Sequence, residues 1–291
     1  TRVPLHYDLT MDALRAKKPV YTEWPLGSNL NQARDMAELA ASQNVATLVG
    51  LQARQSPQHL YIQKLINDGF IGEVLSVNLK VINSGVLTRP SDRTWQKDIT
   101  LGANTLTISF GHAIDALCMS LGEFEELAAT VTTQIPQWYE TDTNKYVDVT
   151  SPDNIAITGV LSSGAIVSAH TASIPYHGSG MKMEIYGKEG TLVLETDGSA
   201  QMGGMTLFGG QKEDKGLSVI DIPKTLITAP EATFNTPSFN VAQMWIDFGK
   251  NISDGTKPTP DFNDALIRHK LIEAINISTQ EKRKVKISEI N

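Results

Sequence analysis

Thr22-Glu23-Trp24-Pro25-Leu26-Gly27 decides how the opening of this chain folds. The stretch follows a short apolar strand, Pro19-Val20-Tyr21-Thr22, and precedes a helix. Asn29 is that helix's N-cap, with Gln32 three residues on as in a capping box. The helix is expected to bury Leu30, Ala33, Ala37, Ala40 and Ala41. Val45 to Leu51 then runs apolar without alternation, as a strand covered on both faces does. Upstream, Thr1 to His6 reads as a loop, and Tyr7 to Lys17 as a helix with Leu9, Ala13 and Leu14 on one face. Loop, helix, strand, helix, strand implies parallel strands joined by right-handed crossovers. Ligands of such sheets bind beyond the carboxyl ends of the strands, where the quoted stretch falls.

The sequence contains no Gly-x-Gly-x-x-Gly. The expectation is therefore that residues 1–55 form the C-terminal half of a dinucleotide-binding domain and that the first half is missing from the chain. Residues 56–291 differ in texture. Ser56-Pro57 opens a helix that stops at Gly69. Leu75, Val77, Leu79 and Val81 alternate with polar residues, the mark of an antiparallel strand with one polar face. A helix is expected from about Asn104 to Leu121. Hairpins follow over Ile155 to Ser173 and Met181 to Glu195. Helices at Phe239 to Ile252 and Asn263 to Gln280 and a short strand at Val285 to Ile287 close the chain. The fold class is α/β, an incomplete Rossmann-type parallel sheet, followed by an α+β domain with a mostly antiparallel open sheet. The last helix is expected to pack back on the nucleotide domain. The open sheet face, through Leu75 to Val81 and Ile155 to Ser173, is expected to form a homo-oligomer, a dimer.

Composition removes several functions. The 291 residues carry a net charge of −7, and the densest basic cluster is Lys282-Arg283-Lys284 with Lys286. That is a solvated helix end favouring the dipole, and no nucleic-acid partner is expected. No apolar run reaches the roughly 20 residues a membrane span needs. Cys118 is the only cysteine, which excludes an intrachain disulfide and points to the reducing cytoplasm. The six histidines are scattered without cysteine partners, so no metal is expected.

The candidate site residues are few. Gln52 and Arg54 leave the end of a parallel strand toward the crevice. His112 and Asp115 lie one helical turn apart on a shared face, as a proton carrier with its acid or as a packed pair. Lys97, in the loop before that helix, is a candidate ammonium. Trp24 offers one indole N–H and no titrating group. It either walls a pocket or packs in the core.

Taken in order, these motifs resemble the Gfo/Idh/MocA family of oxidoreductases. Val3-Pro4-x-His6 is similar to the loop after that family's fourth strand, with shorter spacing. Glu23-Trp24-Pro25 stands where the family carries Glu-Lys-Pro, with the lysine beside the nicotinamide. Gly102 to Asp115 resembles the family's catalytic helix: His112 and Asp115 match, while Ile108 replaces the acid four residues before the histidine. Gly187-Lys188-Glu189-Gly190-Thr191-Leu192 matches the family's Gly-x-x-Gly-x-leucine hairpin. Two further stretches, Leu51 to Pro57 and Phe110 to Asp115, resemble the branch that contains the fungal galactose-regulon inhibitor, without its long insertions. The resemblance implies NAD or NADP as cofactor, with Pro4, His6, Glu23, Trp24, Pro25, Gln52 and Arg54 toward it. It also implies catalytic roles for His112, Asp115 and Lys97 on a small sugar or polyol. The competing expectation is a non-catalytic, dinucleotide-sensing regulator that binds a protein partner.

Overall fold

In the computed structural model, which describes residues 1–234 and 236–291, the opening segment forms helix, strand, helix and strand in that order. They are α1 (His6–Arg15), β1 (Val20–Glu23), α2 (Leu30–Gln43) and β2 (Thr47–Gly50). β1 and β2 pair in parallel, with Val20 opposite Thr47 and Glu23 opposite Gly50. The Asn29 side chain caps α2 by accepting the Gln32 N–H at 3.0 Å. Gln32 does not close the box on Asn29; its carbonyl accepts the Ser28 N–H instead. α2 buries Ala33, Met36, Ala37 and Ala40, and Ala41 is exposed because the buried stripe runs through Met36.

The remainder is built on one large sheet. α3 (Pro57–Asn67) leads to β3 (Val74–Ser84) and a two-residue strand β4 (Thr88–Arg89). A π turn at Leu106–Phe110 runs directly into α4 (Gly111–Leu121). Then come β5 (Phe124–Thr132), β6 (Gln137–Glu140), β7 (Lys145–Asp148), β8 (Asn154–Leu161), β9 (Ile166–Ile174), β10 (Gly180–Gly187) and β11 (Gly190–Thr196). The chain finishes with β12 (Thr206–Gln211), β13 (Ser218–Val219), α5 (Phe239–Asp254), α6 (Phe262–Glu281) and β14 (Val285–Lys286). Nine strands form the sheet in the order β13-β12-β11-β10-β3-β9-β8-β5-β14.

Every neighbouring pair in that sheet is antiparallel except β3–β9, which is parallel. Alternation along β3 therefore identified a half-buried strand but not its neighbours' directions, because side-chain period reports faces only. Val77, Leu79 and Val81 are buried, and Leu75 at the strand's start is exposed. A second, three-stranded sheet, β4-β6-β7, has its own small core of Val86, Trp138 and Val149; no periodic pattern in the sequence announces it. No helix among the described residues is long and apolar enough to cross a membrane.

α6 packs against both β2 of the opening pair and β5 of the large sheet, and α4 packs against α3 and the turn after β2. α4 is buried from Gly111 through Cys118, and α6 is buried around most of its circumference, from His269 through Ile272 and Ile275 to Ala274. A helix buried this widely lies between layers. α6 starts in a capping box made by Asp261 and Asp264, and the Val49 N–H of β2 donates to Pro260 O at 2.9 Å just before it.

The apolar contact between these helices and the opening segment encloses an ionic cluster. Arg54, in the turn after β2, donates twice to Asp115 of α4, both at 2.8 Å, and once to Asp264 of α6 at 2.9 Å. Arg268 of α6 donates to Asp115 at 3.2 Å and to Glu123 at 2.8 and 3.1 Å. Asp115 and Arg268 are both fully buried. Burial opposes ionisation of Asp115, but Arg54 and Arg268 outweigh it and hold its carboxyl below the usual carboxylate range. Removing one partner of such a cluster strands a buried charge. Asp115→Asn is expected to destabilise the fold by roughly 3–5 kcal/mol, read as a lower denaturant midpoint. An unchanged midpoint would show that the cluster contributes nothing.

Three buried histidines surround this region. Burial lowers His59 and His112 to about 4, against a smaller upward pull from Asp115, and lowers His269 to about 3. Both ring nitrogens of His59 are buried without a hydrogen-bond partner. Each imidazole stays neutral in the folded state, while in the unfolded chain it charges below about pH 6.5. The unfolded state then binds more protons, so stability falls as pH drops from about 6.5 toward 4. Stability is expected to be full above that window and to decline by up to about 1.4 kcal/mol per pH unit for each histidine inside it. His59→Leu should flatten the slope by one such share in urea titrations; an unaltered slope would refute the assignment.

Candidate functional site

The carboxyl ends of β1 and β2 carry the first cluster. Glu23 ends β1, and its carboxylate accepts from the Tyr21 hydroxyl and from Gln52 Nε2, the latter at 2.9 Å. Gly50 lies opposite, and a methyl group there would collide with the Glu23 carboxylate, so the close approach requires glycine. Gln52 Oε1 is buried with no partner. An orphaned amide acceptor beside a fixed carboxylate, at the ends of parallel strands, suits a ligand rich in amide and hydroxyl donors. The nicotinamide–ribose end of a dinucleotide is such a ligand, so these residues fit it. His6 Nδ1 donates to Pro25 O at 2.9 Å and ties the start of α1 to the same turn, with Pro4 in the preceding Val3–Leu5 turn.

Trp24 is buried, at 5% exposure. Its indole N–H donates to Thr107 O at 2.6 Å, and its ring lies 4.8 Å from that of His269. The Gly111 N–H reaches back to Leu106 O, the longer spacing of a π turn. The indole thus inserts into the start of the α4 helix. Gly111 makes room for it: a Cβ there would stand 2.6 Å from Trp24 Nε1. With its one donor committed, Trp24 serves as a packing wedge between the opening segment, α4 and α6.

Ile108 and Ser109 of that π turn border a cavity of about 180 Å³. Arg89, Gln96, Asn104, Ile108, Ser109 and Ser173 line it. His112 follows Ile108 by one turn; it is 5% exposed and its Nδ1 is buried without a partner. Asp115 makes no hydrogen bond to it, because both carboxylate oxygens are taken by Arg54 and Arg268. Arg54 is likewise engaged with acids of α4 and α6. Lys97 closes a helical turn over Ser91–Lys97; its carbonyl accepts from Thr150 and Ser151, and the neighbouring Gln96 is the residue in the cavity wall.

The structure thus brings Pro4, His6, Glu23, Pro25 and Gln52 together at the strand ends. It places Arg54 and Asp115 in the ion cluster and His112 between that cluster and the cavity. Sequence reasoning missed Arg268, His59, Arg89 and Trp138. Arg268 had a usable signal, a charge set among the apolar positions of the last helix. The others depend on the β4-β6-β7 sheet or on α3 packing, which no local pattern reveals.

Comparison with known proteins agrees with this arrangement. The model of an oxidoreductase family with an NAD-binding Rossmann fold matches residues 1–51, and that of the Gal80p C-terminal domain matches residues 57–196. The dehydrogenase aclE of Aspergillus oryzae is 30% identical over 290 residues, covering 94% of this chain and 73% of that protein. The crystal structure of a super-repressor mutant of Gal80p from Saccharomyces cerevisiae superposes with a TM-score of 0.87 at 25% identity, over 100% of this chain and 79% of that one. Levoglucosan dehydrogenase, in complex with NADH and levoglucosan, shares the fold with a TM-score of 0.84 at 21% identity, over 99% and 78% of the two chains. The chain belongs to the Gfo/Idh/MocA family of oxidoreductases.

Proposed function

We propose that this chain carries the substrate-handling part of an NAD- or NADP-dependent oxidoreductase acting on a sugar or polyol hydroxyl, or on the matching ketone. The observation that carries the reading is His112: an imidazole neutral at pH 7, with an unpartnered Nδ1, one turn from a wall of the polar cavity. A neutral imidazole accepts the proton a hydroxyl gives up on oxidation and returns it on reduction. Asp115 is a positioning residue here. Its charge favours the imidazolium that forms, without touching the ring. Lys97, next in sequence to the wall residue Gln96, is the candidate ammonium at the rim. When bound, the dinucleotide supplies the hydride acceptor, and Glu23, Gln52 and the His6–Pro25 turn would hold its nicotinamide end. We assign the protein to the cytoplasm, with no nucleic-acid partner.

Full-length protein is expected to reduce NAD or NADP in the presence of at least one sugar or polyol. His112→Ala should lower turnover by roughly 10²–10⁴-fold, the scale of one acid–base group. Retention of full turnover would remove His112 from the chemistry.

A second reading has its own support. Ile108 replaces an acid, the Trp24 donor is committed to Thr107, and residues 57–196 match the Gal80p C-terminal domain. On that reading the chain is a non-catalytic, dinucleotide-sensing regulator with a protein partner. Full-length protein that binds the dinucleotide yet transfers no hydride from any sugar or polyol would leave this second reading standing.

We also infer a homodimer through the open sheet face. Tyr186, Ser76 and Ile166 lie side by side across β10, β3 and β9, and Ile166 is 54% exposed. Two exposed apolar side chains, Tyr186 and Ile166, flanking Ser76 on an otherwise polar face suit a partner surface. Sedimentation is expected to report a dimer that Ile166→Asp dissociates; a wild-type monomer at micromolar concentration would contradict it.

A further inference from the structure

Arg89 lies in the wall of the cavity beside Ile108 and, among the described residues, forms no ion pair. Its guanidinium donates to Gln96 Oε1 at 2.8 Å and lies over the Trp138 ring, 4.2 Å from the centroid. Its Nε is buried with no acceptor at all. Burial lowers its pKa, and the neighbouring Arg93, also in the wall, lowers it further. The one carboxylate in the wall is Asp153, and it is committed elsewhere. Its oxygens accept the Gln134 and Ile135 N–H groups and the Asn154 amide, and it forms no ion pair with Arg89. A half-buried cation without a counterion carries a free-energy cost. An anionic ligand in the cavity supplies the missing counterion to the guanidinium.

The rest of the wall suits hydroxyl groups. Ser109 accepts from the Asn83 amide at 3.3 Å and keeps its own proton free to donate. The Thr105 and Ser173 hydroxyls are paired at 2.9 Å, and each retains a lone pair for a further bond. Ile108 supplies a flat apolar patch where a sugar ring's C–H face can rest. A volume of about 180 Å³ is small for a drug-sized ligand and suits a single sugar unit.

We propose that this cavity selects a sugar bearing a carboxylate, with Arg89 as the carboxylate anchor and Arg93 adding a second positive charge at the rim. The planar fork of arginine pairs two donors with a carboxylate, which a neutral sugar cannot satisfy. Asp153 in the same wall repels a doubly charged phosphate about twice as strongly as a singly charged carboxylate. This inference rests on the cavity being the substrate site of the proposed oxidoreductase and narrows its substrate class.

Binding measured by calorimetry on the full-length protein, without dinucleotide or turnover, tests it. D-glucuronate is expected to bind at least about tenfold tighter than D-glucose, the scale of one charge-assisted hydrogen-bond pair. D-glucose 6-phosphate and acetate are each expected to bind more weakly than glucuronate. Arg89→Gln should abolish the preference for glucuronate while glucose binding stays within about threefold. Arg93→Gln, at an exposed position that folding tolerates, should reduce it about two- to fivefold. Equal affinity for glucose and glucuronate, or a preference that survives in both variants, would overturn the proposal. Tighter binding of glucose 6-phosphate would overturn the carboxylate assignment, and acetate matching glucuronate would overturn the sugar. A preference for glucuronate in a protein without hydride transfer would sink only the enzyme reading. Turnover on neutral sugars with no such preference would sink only this inference.

Discussion

Asp115 is the residue on which the arrangement of this molecule turns. It sits fully buried in the central helix α4 and binds two arginines that arrive from opposite directions in the chain. Arg54 comes from the turn after β2, and Arg268 from α6, more than 200 residues later. A buried carboxylate is tolerable only if its charge is balanced and its oxygens are filled, and two guanidinium forks do both. The requirement is geometric as well as electrostatic, so it fixes where the opening segment, the central helix and the last helix meet.

Trp24 extends that junction in apolar form. It leaves β1, enters the first turn of the α4 helix, and takes a carbonyl that the π turn leaves free. Gly111 permits the approach and His269 supports the ring. The residue that separates this chain from the usual lysine-bearing enzymes thus has a structural occupation. Loss of a titrating group at this position is also gain of a rigid contact between the strand ends and the helix that carries His112. The enzyme and regulator readings share that rigidity. They differ in whether His112 meets a hydroxyl proton.

The cavity beside Ile108 lies outside the ion cluster, and its charge is of the opposite character. Within the cluster every arginine is matched to acids. In the cavity wall, Arg89 and Arg93 have none, and Asp153 is spent on backbone N–H groups. A protein interior that balances one set of charges so closely leaves the other as a recognition feature.

Local patterns in the sequence were enough to place the parallel strand pair, the capped helix at Asn29, the hairpins and the last two helices, because periodicity and capping act over a few residues. They also placed Glu23 and Gln52 at the ends of the strands. What local patterns could not decide was who meets whom. The parallel pairing of β3 with β9, the small β4-β6-β7 sheet and the cavity it walls all depend on contacts between residues distant in sequence. His112 and Asp115 share a helical face in the sequence, and that reading made them partners. The folded chain instead brings Arg54 and Arg268 to Asp115, since a buried carboxylate is held better by two cations than by a neutral imidazole. The sequence by itself determined the family and those elements that carry their own periodicity or caps. Only the tertiary structure decided which of its charges are balanced inside and which are left for a ligand.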